Sequence, residues 1–328
     1  MEVKKVGIVA MTGIMGTGIA QTCAQAGYQV LGSSRSQDNI NKALASINSQ
    51  FARSVERGRI SQADKDAAVS RIKGTTNMQD FADCDLVVEA AAEDMQLKKG
   101  IFAELDKICR KDAIIASNTS CLSIIDLAMV TKRPDKVVGI HFFNPVPVMK
   151  LVEVVRTISS SDDTVATSKK FCESTGKTVV IAKDAPGFIV NRLMTPFILN
   201  AAKMLESGVA SREDIDTAIN LGLNHPMGPL ALVDLIGIDT FLAFADAQYE
   251  EFKEPQYAAP VILRKMVAAG WLGRKTKKGF YDYKQLAVSW GGQGSVRGGN
   301  RVPALLPLSQ MVGLRGISSQ SRAHPHAF

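Results

Sequence analysis

His141 and Glu153 stand in the stretch VVGIHFFNPVPVMKLVEVV, residues 137 to 155, among residues that are mostly apolar. A histidine serves as a general base near neutral pH when a buried carboxylate accepts from one ring nitrogen. The carboxylate fixes the tautomer and supports the imidazolium, and the other nitrogen is left to take or return a substrate proton. That chemistry requires the two side chains to meet. The apolar run up to Ile140 predicts a buried strand that delivers His141 at its C-terminal edge, and LVEVV predicts a second short strand carrying Glu153. Pro145 and Pro147 force an extended or turning link between them. On spacing alone, a satisfied core histidine beside a surface glutamate is the commoner arrangement.

The elements before this stretch follow a strand, glycine turn, helix, strand order. KKVGIVA reads as a buried first strand, and MTGIMGTGIAQTCAQAG reads as a tight turn running into a helix. Such a turn places backbone N–H groups and a helix N-terminus against a pyrophosphate, and Gly13, Gly16 and Gly18 permit the close approach. Met11 departs from the pattern GxGxxG, which wants glycine there; if the position needs positive φ, the methionine costs about 1 to 2 kcal/mol, and its side chain would crowd the adenosine side. The second strand, YQVLG, ends in Ser33, Ser34 and Arg35 with no Asp or Glu. An acid there would bind ribose hydroxyls, so its absence together with Arg35 predicts a preference for NADP(H), with NAD(H) still possible. The alternative is an ordinary polar loop. Residues 38 to 72 read as two helices, with Arg53, Arg57 and Arg59 on the first and its exit, where a run of bases is commonly a solvated face. DLVVEAA is a third strand, followed by a helix from about Met95 to Cys109. AIIASNTS then delivers Ser117, Asn118, Thr119 and Ser120 to a strand end, suited either to ligand binding or to capping the next helix. A helix near 162 to 175 and the strand KTVVIA follow, and after DAPGFIVNR only helix signals remain, broken at Asn224 to Pro229. The expected fold is α/β: a Rossmann-type dinucleotide-binding domain over 1–184, an all-helical domain over 185–285 and an atypical segment over 286–328.

HFFNPVPVMKLVEVV, preceded by SNTSCLSI and followed by DAPGFIVNR, resembles the 3-hydroxyacyl-CoA dehydrogenase family, in particular its short bacterial 3-hydroxybutyryl-CoA dehydrogenases. VEAAAEDMQLKK, EDIDTAINLG, HPMGPLAL and AGWLGRKTKKGFYDY match as well, in family order from residue 3 to about 284. The resemblance implies hydride transfer between a nicotinamide cofactor and acetoacetyl-CoA or (S)-3-hydroxybutyryl-CoA. It makes His141 and Glu153 the catalytic pair, with Ser120 and Asn191 holding the substrate oxygen. Cofactor contacts are implied at Gly13, Met15, Gly16, Ser33, Ser34, Arg35, Glu93, Lys98, Asn118, Asn144 and Lys275, with Ser34 standing where the family's common aspartate would be. Glu93 and Lys98 would lie near the nicotinamide ribose, although Glu93 taken alone could be a helix N-terminal charge. Arg53 and Arg57 would meet phosphates of coenzyme A. The helical domain would form a homodimer interface, and no metal is implied. An NADP(H) preference would favour reduction, as in butyrate-type fermentation or fatty-acid metabolism. Two alternatives are a non-catalytic relative and a dehydrogenase of another substrate.

Composition agrees with a globular protein of two domains: 328 residues, 46% of them hydrophobic. Of the net charge of +7, the four arginines beyond Leu286 supply four, in a segment with no acid, so the rest of the chain is only mildly basic and a nucleic-acid reading is poor. Five scattered cysteines without a CxxC pair suit reduced thiols. The short, interrupted N-terminal apolar run and the absence of a spanning run predict a cytoplasmic protein with no membrane contact. After Leu286, Gly, Ser, Arg and Pro dominate without periodicity, the mark of a disordered or non-native extension, which would make His324 and His326 irrelevant to catalysis.

Overall fold

The structure, a computed structural model, describes residues 1–283. The reading of 286–328 as an atypical segment therefore lies outside the described residues. Eight short apolar runs form one sheet: β1 (Lys5–Val9), β2 (Gln29–Ser33), β3 (Ile72–Thr75), β4 (Leu86–Glu89), β5 (Ile114–Ser117), β6 (Val137–Phe142), β7 (Leu151–Arg156) and β8 (Thr178–Lys183). Their spatial order is β3-β2-β1-β4-β5-β6-β7-β8, and every pair is parallel except β6 with β7. The order reverses between β1 and β4. In such sheets the crevice beyond the carboxyl ends of these strands is where ligands bind.

Helices cover both faces because the parallel strands are apolar on both sides. One face is closed by α1 (Ile14–Gln25), α2 (Gln37–Glu56), α3 (Gln62–Ser70) and α6 (Asp162–Ser174), which bury Ile19, Ile47, Phe51, Ala68 and Phe171 against Val6, Ile8 and Val30. The other is closed by α4 (Met95–Ile108) and α5 (Ile124–Ala128), through Phe102, Leu105 and Leu127. Beyond β8 the described chain is helical: α7 (Val190–Glu206), α8 (Arg212–Gly222), α9 (Pro229–Ile236), α10 (Ile238–Phe252) and α11 (Val261–Ala268). Their core joins Ile198, Leu230, Phe241 and Leu263. Asp234, buried within this part, accepts from Phe280 N, Tyr281 N and the Tyr283 hydroxyl, and so fastens the last turn of the described chain to α9. Burial pushes the Asp234 carboxyl above the usual carboxylate range, against those three donors.

Two local expectations are corrected. The strand β3 was not anticipated, since IKGT is too short for a period to register; it forms because Gly74 leaves room for Ile40, whose Cγ2 lies 2.1 Å from where a Cβ would stand. Met11 does not take positive φ. Ala10 carries the positive φ (59°), and Met11 is wholly buried beneath β2, its Sδ 1.9 Å from the place of a Gly32 Cβ. The missing side chain of Gly32 is what accommodates the methionine.

All five cysteines are free thiols, and four are buried. Burial pushes the Cys23 and Cys84 thiols up to about 12 and Cys109 up to about 11, from 9.0. The folded chain thus keeps protons that the unfolded chain releases, and this contribution to stability is complete below pH 9 and is lost as pH rises through the window to about 12. Urea midpoints should fall between pH 8 and pH 10.5, and replacing Cys23 by alanine should flatten that decline. An identical slope in the variant would contradict this account.

Candidate active site

The antiparallel pairing of β6 with β7 sets His141 directly opposite Glu153. Their side chains are 5% and 0% exposed, and Nδ1 lies 2.7 Å from Oε2. Glu153 is therefore no surface glutamate. Its other oxygen, Oε1, accepts from the amides of Ile189 and Val190 at 3.1 and 3.0 Å, where α7 begins. A carboxylate in that position neutralises amides that a helix start leaves unpaired and is favoured by the helix dipole. Such a carboxylate receives the Nδ1 proton, so Nε2 is the nitrogen left to accept. Among the described residues Nε2 has no hydrogen-bond partner. The rings of Phe143 and Phe188 flank the imidazole, with centroids at 4.5 and 5.6 Å.

Asn191 follows Val190 on the first turn of α7, the helix start that Glu153 holds, and is buried. Asn118, just past the end of β5, accepts from Phe142 N at its Oδ1, 2.9 Å away, which ties the neighbouring strand end next to His141. Ser120 is half-buried, and its backbone N donates to Glu93 Oε1 at 3.0 Å. Glu93 also accepts from the Thr119 hydroxyl, so it shapes the whole turn after β5.

A residue that sequence reasoning missed lies beneath this turn. Glu89, the last residue of β4, is fully buried and accepts from Lys98 Nζ at 2.8 and 2.9 Å, from Ser117 Oγ at 2.7 Å and from Ala91 N at 2.5 Å. The signal was present as an acid inside the apolar strand DLVVEAA. Lys98, which the resemblance implies near the nicotinamide ribose, is 1% exposed and pairs with Glu89, with Glu93 at 3.4 Å and with Ala91 O at 3.3 Å. The physical reason is desolvation: a buried ammonium needs anionic and carbonyl partners on all its donors.

The turn at β1 fits a dinucleotide. Gly13 caps α1 with no side-chain hydrogen bond, and a Cβ there would meet only Ala10 O, at 3.7 Å, so the first amides of α1 face open space. At Gly16 a Cβ would come within 2.5 Å of Ala10 O, so only glycine lets the helix start this close to the strand. Met15 lies on the same first turn and packs against the core. Ser33 is buried and its carbonyl accepts from Met11 N, which leaves Ser34 and exposed Arg35 as the groups at the rim of β2; Ser34 Oγ is 3.4 Å from Thr12 Oγ1.

A cleft of about 620 Å³ opens beside this turn, lined by Thr12, Thr17 and Gly18 of the turn and α1, by Lys42, Ser46 and Gln50 of α2, and by Asn144 to Pro147. Residues 42, 46, 50, 53 and 57 recur every three or four positions, so exposed Arg53 and Arg57 continue the cleft-lining face of α2. Lys275, which the resemblance implies as a cofactor contact, donates its ammonium to Asp239 of α10 at 2.6 Å. Among the described residues no group of three or more His, Cys, Asp and Glu is placed to hold a metal ion.

The sequence model described as "3-hydroxyacyl-CoA dehydrogenase, NAD binding domain" matches residues 5–185, and that described as "3-hydroxyacyl-CoA dehydrogenase, C-terminal domain" matches residues 187–283. The chain belongs to the 3-hydroxyacyl-CoA dehydrogenase family. It is 48% identical over 274 residues to a 3-hydroxybutyryl-CoA dehydrogenase of Clostridioides difficile, covering 84% of this chain and 98% of the relative. A second relative of that description, from Bradyrhizobium diazoefficiens, is 45% identical over 282 residues, covering 86% and 96%. The crystal structure of (S)-3-hydroxybutyryl-CoA dehydrogenase from Ralstonia eutropha superposes with a TM-score of 0.84 at 46% identity, covering 86% of this chain and all of that one. As a 3-hydroxyacyl-CoA dehydrogenase the chain is an oxidoreductase with a nicotinamide cofactor, and the Rossmann-type sheet followed by a helical part is the expected fold. Among the described residues no helix is long and apolar enough to cross a membrane.

The buried network under the Ser120 turn generates a test. Lys98→Met leaves Glu89 without its counter-charge and should cost about 3 to 5 kcal/mol of stability, measured by urea unfolding at pH 7. A loss under about 1 kcal/mol would contradict the reading that Glu89 depends on Lys98 as its counter-charge.

Proposed function

We propose that this dehydrogenase interconverts acetoacetyl-CoA and (S)-3-hydroxybutyryl-CoA, with His141 as general acid and base. The observation that carries this reading is the buried His141–Glu153 pair, whose far carboxylate oxygen is anchored on α7 and whose Nε2 is free to exchange a proton. In oxidation Nε2 takes the hydroxyl proton while hydrogen leaves C3 with its electron pair; in reduction the imidazolium returns the proton to the oxygen on C3. The bound nicotinamide supplies or accepts that hydride. Glu153 holds the ring and balances its charge, and Ser120 and Asn191 donate to the substrate oxygen. The relatives described as 3-hydroxybutyryl-CoA dehydrogenases support the C4 substrate. Coenzyme A would run along the α2 face toward Arg53 and Arg57, with Asn144 on the opposite wall.

For the cofactor the reading is NADP(H) in preference to NAD(H), supported by exposed Arg35 beside Ser34 with no carboxylate at the β2 end. Gly13, Met15, Gly16 and Asn118 would border the cofactor. Assembly would be a homodimer through the helical part, whose surface exposes Leu193 at 71% and Leu221 at 81%. The domains would divide near Asp184, and the enzyme would work in the cytoplasm.

His141→Ala should lower kcat for acetoacetyl-CoA reduction about 10² to 10⁴-fold while the protein stays folded by circular dichroism; near-native turnover would remove His141 from the mechanism. Separately, Arg35→Ala should raise KM for NADPH about ten-fold and leave NADH within about two-fold. Equal effects on both cofactors would overturn the NADP(H) reading.

A further inference from the structure

Lys177, just before β8, is 9% exposed and has no carboxylate partner among the described residues. Its ammonium donates instead to two carbonyls, Val146 O at 2.6 Å and Met149 O at 2.7 Å. Burial lowers the pKa of this group, so the fold bears a desolvation cost to keep a cation here. Both carbonyls belong to the loop that joins the strand of His141 to the strand of Glu153.

That loop is a thin wall. On one side Asn144, Pro145, Val146 and Pro147 line the large cleft. On the other side Pro147, Val148 and Lys177 line a second cavity of about 390 Å³, with Thr22 and Ser174. Val146 is buried against Gly18, where a Cβ would lie 2.9 Å from the valine Cβ, and Val148 N and Met149 N both turn back to Pro145 O. Lys177 fastens the same turn from behind, and without it two carbonyls would face the second cavity unpaired.

We propose that Lys177 is a positioning residue of the acyl-CoA site: its ammonium fixes the Asn144–Met149 turn and so holds the cleft wall at the width that the substrate needs. The proposal rests on the reading of the cleft given under Proposed function. It predicts a loss in substrate binding with little loss in chemistry, because Lys177 touches neither His141 nor Glu153 in the structure.

The test compares Lys177→Met, which keeps the stem and removes the donors, with Lys177→Gln, which keeps an amide donor. Acetoacetyl-CoA kinetics at saturating reduced cofactor should show KM raised about ten-fold in the methionine variant, kcat within about three-fold, and the glutamine variant between it and the wild type. Hydrogen exchange at the Val148 and Met149 amides should quicken in parallel. An unchanged KM, or a fall in kcat without a rise in KM, overturns the proposal; if the methionine variant does not fold, the glutamine variant is judged by the same outcomes. If the wild-type protein does not reduce acetoacetyl-CoA, the functional reading fails by itself, and calorimetric binding of free coenzyme A with the exchange rates then decides the role of Lys177. Unchanged binding and exchange in Lys177→Gln would sink it.

Discussion

The carboxylate of Glu153 is the point on which the active site depends, because its two oxygens serve two different parts of the fold. One receives the imidazole of His141 across the antiparallel β6–β7 pair, and the other receives the first amides of α7. A buried carboxylate without partners would cost several kcal/mol. Here a ring N–H and a helix N-terminus share it, so orienting the imidazole and docking the helical part on the sheet are one interaction. Asn191 sits one residue beyond Val190, on the helix start that this contact fixes.

Charges placed under loops recur on the other side of the site. Glu89 and Lys98 form a desolvated pair below the turn that carries Ser120, and Glu93 transmits their position to Thr119 and Ser120 through hydrogen bonds. Lys177 does the same for the turn after β6, from behind and without a counter-ion. Turns at strand ends have few side chains to pack, so their shape is set by what satisfies their backbone groups. Burying a cation or an anion beneath them commits those groups to one arrangement.

Met11 shows how a departure from a motif is absorbed. A first glycine is absent from the turn, yet the turn keeps its course because the left-handed residue is Ala10 and because Gly32 on the adjacent strand vacates the volume that the methionine needs. The amides that face open space at Gly13 are unaffected. Sequence reasoning placed the strain on the wrong residue since φ at a single position depends on how the whole turn closes.

The sequence by itself determined seven of the eight strands, the helices among and after them and the glycine turn, because apolar runs and glycines are local signals; it offered His141 and Glu153 as candidates on two strands, and the resemblance to a family made them a pair. It missed β3, whose four residues are too few for a period, and it left Glu89 inside a strand and Lys177 beside one without a role. It also gave no sign that a buried carboxylate pairs with Lys98. Tertiary structure alone decided those points, since the partner of a buried charge is chosen by strand register and helix packing across tens of residues: His141 opposite Glu153, Glu89 beneath Lys98, and Lys177 behind Val146.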